Sequence, residues 1–435
     1  MQYSLPFKTF LEKWFRISFS NFPRQFWLLM AGSLISSTGS SMVWPFLSIY
    51  LRSRLNVSLT TVASLLTLSS IMGLLASFVA GPIADRYGRK GIMVTGLFAG
   101  TVYYFLMSQA HSLPAFALLI GSWGAFNTLY PVGANAMVAD LIPMENRTDA
   151  YSMLRIVHNV GVAVGPMIGG FLIISSYNHT FYGASAAFAF FGSFTLLMVK
   201  ETSPQRLTPQ DKSGRGLNKV DSGFVGVLQD RPFIGFVLSF MVTTMAASLM
   251  FILLPVYAKE NLGIPENHYS YIVTVNAAMV IFLQYLVTQV TKRYRPLPVL
   301  AVGAMFYALG VGSVALGRGF WYFVTSMVIM STGELIMTPT ATALTATLAP
   351  LEKRGRYMGI YSLVWPVGSG IGPIVGGLLN DHFSPVVTWY GGGLFGLLSA
   401  LGFLALTTRF PSVGVVKAGS IENHPSEIPL STSLN

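Results

Sequence analysis

Twelve long apolar segments alternate along the chain with short polar segments. At about 20 residues each, they are long enough to cross the roughly 30 Å hydrocarbon core of a membrane as helices. We number them as spans 1–12, with predicted bounds 26–50, 59–80, 92–110, 114–140, 150–175, 180–199, 232–257, 268–290, 297–316, 321–348, 357–379 and 388–409. The pattern predicts an all-α polytopic membrane protein with twelve transmembrane helices.

Composition agrees with this prediction. Hydrophobic residues make up 52% of the 435 residues and charged residues only 10%, whereas soluble domains are about one-quarter charged. The net charge of +11 would favour a nucleic-acid partner if the bases formed a patch interleaved with aromatic residues. They lie instead at the ends of the apolar segments, so we expect no nucleic-acid partner and a lipid bilayer as the surroundings.

The basic residues also predict the orientation of the chain. If the N-terminus lies on one face of the membrane, few of the 27 Lys and Arg residues lie on the opposite face. Those that do are Arg52, Arg54, Lys259 and Arg318. Loops rich in Lys and Arg stay in the cytoplasm. We therefore expect a multi-pass protein of the cell (cytoplasmic or inner) membrane with both termini in the cytoplasm. The chain has no cysteine and so no disulfide.

Two six-helix halves are predicted, because residues 207 positions apart are repeatedly alike. The matches include Tyr50 with Tyr257, Pro143 with Pro350, Arg147 with Arg354, Gly165 with Gly372 and Pro166 with Pro373. Parallel repeats of this kind are typical of transporters whose substrate site lies between the halves. The expected organisation is a cytoplasmic N-terminal segment 1–25 on the membrane surface, bundle 26–199, cytoplasmic linker 200–231, bundle 232–410 and a disordered cytoplasmic tail 411–435.

The loop after span 2 combines an acid, bases and glycines at fixed spacing. Its functional residues are Gly81, Asp85, Arg86, Gly88, Arg89 and Lys90. Gly88 permits a turn with positive φ, and Asp85 is expected to bond the free amides that open span 3. The loop resembles the conserved motif between helices 2 and 3 of the major facilitator superfamily. Overall the chain is similar to the twelve-helix drug/proton antiporter (DHA1-type) family.

This resemblance implies a charged latch. In that superfamily the cluster holds the first half against span 11 when the cytoplasmic side is closed, a role we extend to Asp85, Arg89, Asp140 and Arg155. Asp140 and Arg155 are expected at similar depth, paired with each other and with Arg86 or Arg89. Charge balancing at lipid headgroups is the alternative for Arg86 and Lys90. It suits Arg155 less, because an unpaired base inside a span costs at least about 2.5 kcal/mol.

A glycine–proline pattern recurs in spans 5 and 11. Its members are Gly161, Gly165, Pro166, Gly169 and Gly170 in the first half and Gly368, Gly372, Pro373, Gly376 and Gly377 in the second. The pattern resembles the antiporter signature of the superfamily, which implies exchange rather than symport. Close helix packing through small residues explains the stripe equally well.

Glu334 is an acid in the middle of span 10. An ionised carboxylate in hydrocarbon is costly, so a residue that is neutral when occluded and charged when wet suits proton coupling. A permanently protonated Glu334, hydrogen-bonded between helices, is the alternative. His158 is a second proton-coupling candidate because histidine titrates near neutral pH, although an interhelical hydrogen bond explains it equally well.

Four polar or aromatic residues are candidates for a substrate cavity: Trp44, Asn127, Asn276 and Gln284. Asn127 is the repeat partner of Glu334 and stands about where many members of the family carry a buried arginine. Glu334 is therefore expected to act without that base. Packing between helices is the alternative role for these side chains. The cavity is expected to be mostly apolar, with aromatic residues, methionines and one acid.

The expected function is proton-coupled export of hydrophobic or amphiphilic small molecules by alternating access, performed by a monomer. A lipid or glycolipid exporter, a proton-coupled nutrient symporter and a transport-inactive receptor are the alternatives. We find no metal-ligand spacing, cofactor motif or catalytic constellation in the sequence. We therefore expect no metal, no cofactor and no enzyme activity.

Overall fold

The computed structural model describes residues 22–143, 146–202, 223–350 and 353–411. These residues form helices joined by short connections, without a strand. Eleven helices are long and apolar enough to cross a membrane. The predicted all-α membrane fold is therefore confirmed. The surface segment expected within 1–25, most of the linker and nearly all of the tail lie outside the described residues.

The spans have the following bounds. They are span 1, Arg24–Val43, the turn Trp44–Phe46 and Leu47–Leu55; span 2, Leu59–Tyr87; span 3, Arg89–Gln109; span 4, Leu113–Asn127 and Leu129–Leu141; span 5, Arg147–Ser175; span 6, Tyr177–Met198; span 7, Arg231–Ile252 and Leu254–Leu262; span 8, Glu266–Thr291; span 9, Pro296–Ser313; span 10, Phe320–Leu348; span 11, Arg354–Ser362 and Val364–His382; and span 12, Val387–Arg409. A short helix, Gly223–Leu228, precedes span 7.

Span 4 consists of two helices and is the predicted span that is not among the eleven segments long and apolar enough to cross a membrane. It breaks at Thr128, whose hydroxyl donates to the carbonyl of Ala125 at 2.7 Å. Pro131 has no N–H and cannot donate to the carbonyl of Asn127, four residues earlier. The break therefore falls next to a residue predicted to line the cavity.

The repeat seen in the sequence is also a repeat of packing. Span 1 packs on span 5 and span 3 on span 6, just as span 7 packs on span 11 and span 9 on span 12. The two halves meet along two seams, where span 5 faces span 8 and span 2 faces span 11. Spans 5 and 11 thus belong both to the interior of a half and to the boundary between halves.

The polar contacts between the halves that the described residues make are concentrated toward one end. We call the end that carries residues 24, 202 and 409 the linker end. At the other end, the Asp381 carboxylate accepts hydrogen bonds from the backbone amides of Leu59 at 3.3 Å and Thr60 at 2.8 Å. Arg52 pairs there with Glu260 at 3.1 Å. Among the described residues, polar contacts between halves run from mid-membrane to this opposite end, which leaves a cavity toward the linker end.

Glycines in spans 5 and 11 make close packing possible. A Cβ atom at Gly165 would lie 2.6 Å from the carbonyl oxygen of Thr38 in span 1, and one at Gly372 would lie 2.5 Å from that of Met245 in span 7. Such distances leave no room for a side chain. The helices run without a break through Pro166 and Pro373.

The last glycine of each pattern faces the other half. A Cβ at Gly170 would lie 3.0 Å from the Cα of Asn267 in span 8, and one at Gly377 would lie 2.8 Å from the amide nitrogen of Thr60 in span 2. The pattern therefore packs its earlier glycines within a half and its last glycine across the boundary.

Candidate functional site

The cavity between the halves has two neighbouring chambers that share Ser40, Trp123 and Asn127. The larger one, the central chamber, has a volume of about 530 Å³ and is lined by residues of both halves. The smaller one, the side chamber, has a volume of about 430 Å³ and is lined by the first half. These volumes suit a small organic molecule.

The central chamber has aromatic walls and many hydroxyl groups. Trp44 and Trp365 are 43% and 50% exposed, and Trp123 stacks on Tyr103 with the ring centroids 4.9 Å apart. The hydroxyl groups come from both halves: Ser40, Ser48, Ser69, Ser70, Ser77, Ser248, Ser362 and Ser369. Of the described residues that line it, none is charged and none is methionine. The lining is therefore more polar than expected.

The side chamber contains the basic groups of the cavity. Arg155 and His158 are one turn apart on span 5 and both are exposed there. The Tyr151 hydroxyl donates to the backbone carbonyl of Asn135 at 3.0 Å. Asn135 is exposed and lines the chamber. Among the described residues that line this chamber, none is acidic.

Arg155 has a different place from the one expected. It lies eight residues into span 5, about 12 Å along the helix, whereas Asp140 is next to the last residue of span 4. The expectation of similar depth and a mutual pair is wrong, because the turn between the spans lies at residues 142–146 rather than at 147–148. The Arg155 guanidinium instead interacts electrostatically with Glu334 and Tyr361 of the second half.

Glu334 is partly exposed on span 10. Its carboxylate accepts a hydrogen bond from the side-chain amide of Asn276 at 2.8 Å, and the same amide donates to the hydroxyl of Ser331 at 2.8 Å. Span 8 thus holds Glu334 from one side, while the charge of Arg155 acts on it from the other half. Sequence reasoning expected no basic partner, because it examined only the helix-4 position of Asn127.

The four candidate cavity residues have different roles in the structure. Trp44 and Asn127 line the central chamber. Asn276 binds Glu334. Gln284 donates to the backbone carbonyl of Leu335 at 3.0 Å and to the Thr288 hydroxyl at 3.2 Å, so it connects span 8 to span 10 beside Glu334.

The loop after span 2 differs from expectation in one respect. The backbone amides of Arg89 and Lys90, which open span 3, donate to the carboxylate of Glu201 at 2.9 and 3.2 Å. We expected an acid from the loop itself, Asp85, in this role; its side chain lies outside the described residues. Glu201 directly follows span 6, and only the fold brings it to this loop.

The remaining residues of the motif surround this contact. Gly88 has the predicted positive φ, at 91°, which an L-residue with a side chain rarely adopts. Arg86 lies over the ring of Tyr87, 5.7 Å from its centroid. A Cβ at Gly81 would meet no heavy atom within 4 Å, so no neighbour requires glycine there in this conformation.

Asp140 is held within the first half. Its carboxylate pairs with Arg89 at 3.3 Å and accepts a hydrogen bond from the Thr202 hydroxyl at 3.1 Å. Arg89 was one of its expected partners. With Glu201, these contacts connect the ends of spans 3, 4 and 6 at the linker end.

Comparison with known proteins agrees with this architecture. The family model described as Major Facilitator Superfamily matches residues 29–316 and 236–431. The chain is 25% identical over 412 residues to a Na(+), Li(+), K(+)/H(+) antiporter of Planococcus maritimus, covering 88% of this chain and 93% of the relative. It is 25% identical over 391 residues to the multidrug resistance protein MdtH of Escherichia coli, covering 88% and 94%.

Solved structures share the fold at low sequence identity. The nucleoside transporter NupG superposes with a TM-score of 0.74 at 14% identity, covering 88% of this chain and 99% of that one. A POT family transporter in complex with 5-aminolevulinic acid superposes with a TM-score of 0.75 at 14% identity, covering 90% and 98%. These relatives and neighbours are transporters rather than enzymes. The chain is a membrane transporter and belongs to the major facilitator superfamily.

Proposed function

We propose that this protein is a proton-coupled secondary transporter that exports amphiphilic small molecules across the cell membrane by alternating access. The observation that carries the proposal is Glu334, a partly exposed acid in the middle of a membrane-spanning helix. It is held by Asn276 and faces a charge of the other half. Acids at this depth are costly and mark ion pathways.

Alternating access needs two arrangements of the halves. The present one is joined at the end opposite the linker and has its chambers toward the linker end, which we take as cytoplasmic from the distribution of Lys and Arg. Opening to the other side requires loss of the Asp381 and Arg52 contacts between halves. We propose that the loop after span 2 then approaches span 11, and that Gly81 provides the space for this approach.

Glu334 provides a site for exchange of a proton and substrate. When ionised it attracts a basic group of the substrate. When protonated from outside it loses that attraction, so the substrate is released there and the proton leaves on the cytoplasmic side. We assign His158, which is exposed in the side chamber, a secondary role in passing protons between Glu334 and the linker end.

The names of two relatives support export. One is called an antiporter and the other a multidrug resistance protein. The lining of the central chamber, with exposed tryptophans and uncharged hydroxyl groups, suits amphiphilic rather than purely apolar compounds.

Proton-coupled uptake is a second candidate, and Arg155 is the observation that favours it. An acidic substrate at Arg155 would compete with ionised Glu334 for the same guanidinium. Such a substrate binds better when Glu334 is protonated. Substrate and proton would then move together rather than in opposite directions.

The test uses inverted membrane vesicles that generate a proton gradient, followed with a pH-sensitive dye. A lipophilic fluorescent cation and aromatic zwitterions are added in turn. We expect at least one to dissipate the gradient through the wild-type protein, and Glu334→Gln to abolish this exchange. Asp149→Asn is the matched control, because it removes an exposed carboxylate from the same chain. Exchange that persists in Glu334→Gln would exclude Glu334 as the coupling group, and uptake driven only with an inward proton flow would favour symport.

A further inference from the structure

Arg155 is a base inside a membrane-spanning helix. Its guanidinium is exposed in the side chamber and forms neither a hydrogen bond nor an ion pair with any part of the chain that the structure describes. An unpaired charge within a membrane-spanning helix is costly. The acid that interacts with it electrostatically is Glu334 of the second half, which lines neither chamber within the described residues.

The groups around Arg155 are suited to an anion. Asn127, Asn135 and His158 expose their side chains to the same chamber, and none of these side chains is hydrogen-bonded within the described ranges. Amides and imidazole can each donate an N–H. Two titratable groups of the second half interact electrostatically with Arg155 among the described residues. They are the carboxyl group of Glu334 and the hydroxyl group of Tyr361.

The two facing charges differ in an important way. Glu334 can be neutralised by taking up a proton, whereas a guanidinium does not lose its proton in proteins. When Glu334 is protonated, Arg155 keeps its charge and loses its compensation. A ligand without an acidic group would leave that charge unpaired, so an acidic group on the ligand has the larger effect on binding.

We propose that the side chamber is an anion subsite, in which Arg155 binds a carboxylate or phosphate group of the transported compound. Arginine suits both groups because its planar fork donates two parallel hydrogen bonds. The proposal rests on the proposed function in taking the cavity as the transport site. A substrate whose charged group is an acid alone would favour uptake together with a proton, whereas a second, basic group that ionised Glu334 attracts would keep exchange possible.

The rest of the ligand is placed by the residues that the chambers share. Because Trp123 and Asn127 line both chambers, a molecule held at Arg155 can extend into the central chamber. Trp44 and Trp365 offer exposed aromatic faces there, suited to a flat apolar body. The substrate class is therefore an amphiphile with an acidic group, and ionised Glu334 would attract a basic group in addition.

Three probes with one apolar body test this assignment. They are 2-naphthylalanine, which carries both charges, its N-acetyl derivative, which carries only the acid, and its amide, which carries only the base. Binding to the purified full chain in detergent is measured by equilibrium dialysis, without a proton gradient. We expect the two acid-bearing probes to bind more tightly than the amide. The aminophosphonate analogue shows whether a carboxylate or a phosphate-like group is preferred.

Arg155→Gln is expected to weaken binding of the acid-bearing probes about tenfold or more and binding of the amide less than about twofold. Arg155→Lys, which keeps the charge and loses the fork, is expected to restore part of the loss. Arg409→Gln is the matched control, since it removes an exposed base at the linker end of span 12. Glu334→Gln is expected to tighten binding of the N-acetyl probe, because it removes the competing carboxylate.

The subsite would be overturned if the acid-bearing probes did not bind, or bound no more tightly than the amide. It would also be overturned if Arg155→Gln weakened binding of all three probes equally. Weaker binding of the N-acetyl probe in Glu334→Gln would also contradict it and does not depend on folding of an Arg155 variant. Failure of the proposed function gives a different result, in which the preference for acid-bearing probes remains while no probe exchanges for protons in vesicles.

Discussion

Spans 5 and 11 are repeat partners, and comparing them separates what the two halves share from what they do not. Their glycines pack in the same way, with Gly165 against span 1 and Gly372 against span 7. Their last glycines, Gly170 and Gly377, both face the other half. The packing of the halves is therefore symmetric.

The charges are not symmetric. Span 5 has Arg155 where span 11 has Ser362, and span 10 has Glu334 where span 4 has Asn127. The first half thus contributes the base that lines the side chamber, and the second half contributes the acid that interacts with it electrostatically. A symmetric scaffold provides two bodies that can move against each other, whereas an asymmetric pair of charges provides binding and coupling. Four predictions test this separation.

The largest effect is expected where packing is tightest. Gly165→Leu places a side chain against the backbone of span 1, and Gly372→Leu does the same against span 7. Overpacking of this kind costs about 3 kcal/mol. We expect both variants to lower the thermal unfolding temperature of the purified protein by similar amounts. Gly359→Leu is the control, because no heavy atom lies within 4 Å of its Cβ position. A large effect in only one half would break the symmetry of packing.

A smaller and different effect is expected at the boundary between halves. Gly377→Ala pushes span 11 away from Thr60, because its Cβ would lie 2.8 Å from that amide nitrogen. We expect this substitution to favour opening of the halves at the end opposite the linker by about 1–2 kcal/mol. The unfolding temperature should change little. The chain has no cysteine, so spin labels at Ser112→Cys and Asn261→Cys report the separation. An unchanged distance distribution would show that this glycine does not control the boundary.

Asp381→Asn tests the polar contact at the same place. The carboxylate accepts hydrogen bonds from two backbone amides and, at 2.6 Å, from the hydroxyl group of Thr60. An amide side chain keeps one acceptor oxygen and loses the charge, which costs about 1 kcal/mol. The same spin labels should show partial opening, smaller than for Gly377→Ala. Asp149→Asn, at the linker end, should leave the distances unchanged, and opening in that variant instead would contradict the assignment.

The smallest effect is expected for Asp140→Asn. The Nε atom of Arg89 lies 3.3 Å from the Oδ2 atom of Asp140, and the two side chains are 14% and 21% exposed, respectively. Both residues belong to the first half. We expect a loss of less than about 1 kcal/mol in unfolding measurements. If the linker-end latch forms in the other state, transport should fall more than stability does. Equal small losses in both would indicate that the pair is only structural.

Much of the fold was predictable because it depends on local patterns. Hydrophobic runs of membrane length predicted the spans, and a constant offset predicted the two halves. The positive φ of Gly88 followed from its place between two helices. Span 4 shows the limit of this reasoning, because its break at Thr128 depends on a proline and on a cavity that the apolar pattern does not reveal.

The site was predicted less completely. Glu334 was identified because an acid inside an apolar run is visible in the sequence. Its partner Asn276 was identified only as a polar residue of span 8, and Arg155 was assigned to the wrong neighbourhood. The acid that caps span 3, Glu201, was not considered, because 112 residues separate it from Arg89.

The sequence by itself determined the membrane class, the repeat and the costly acid in span 10, since each follows from residue type and spacing along one chain. The tertiary structure alone decided which charges act on one another. Arg155 and Asp140 are near in sequence, yet one faces the second half and the other pairs with Arg89. Helix rotation and depth decide such choices, and both are fixed by packing against neighbouring helices rather than by the order of residues.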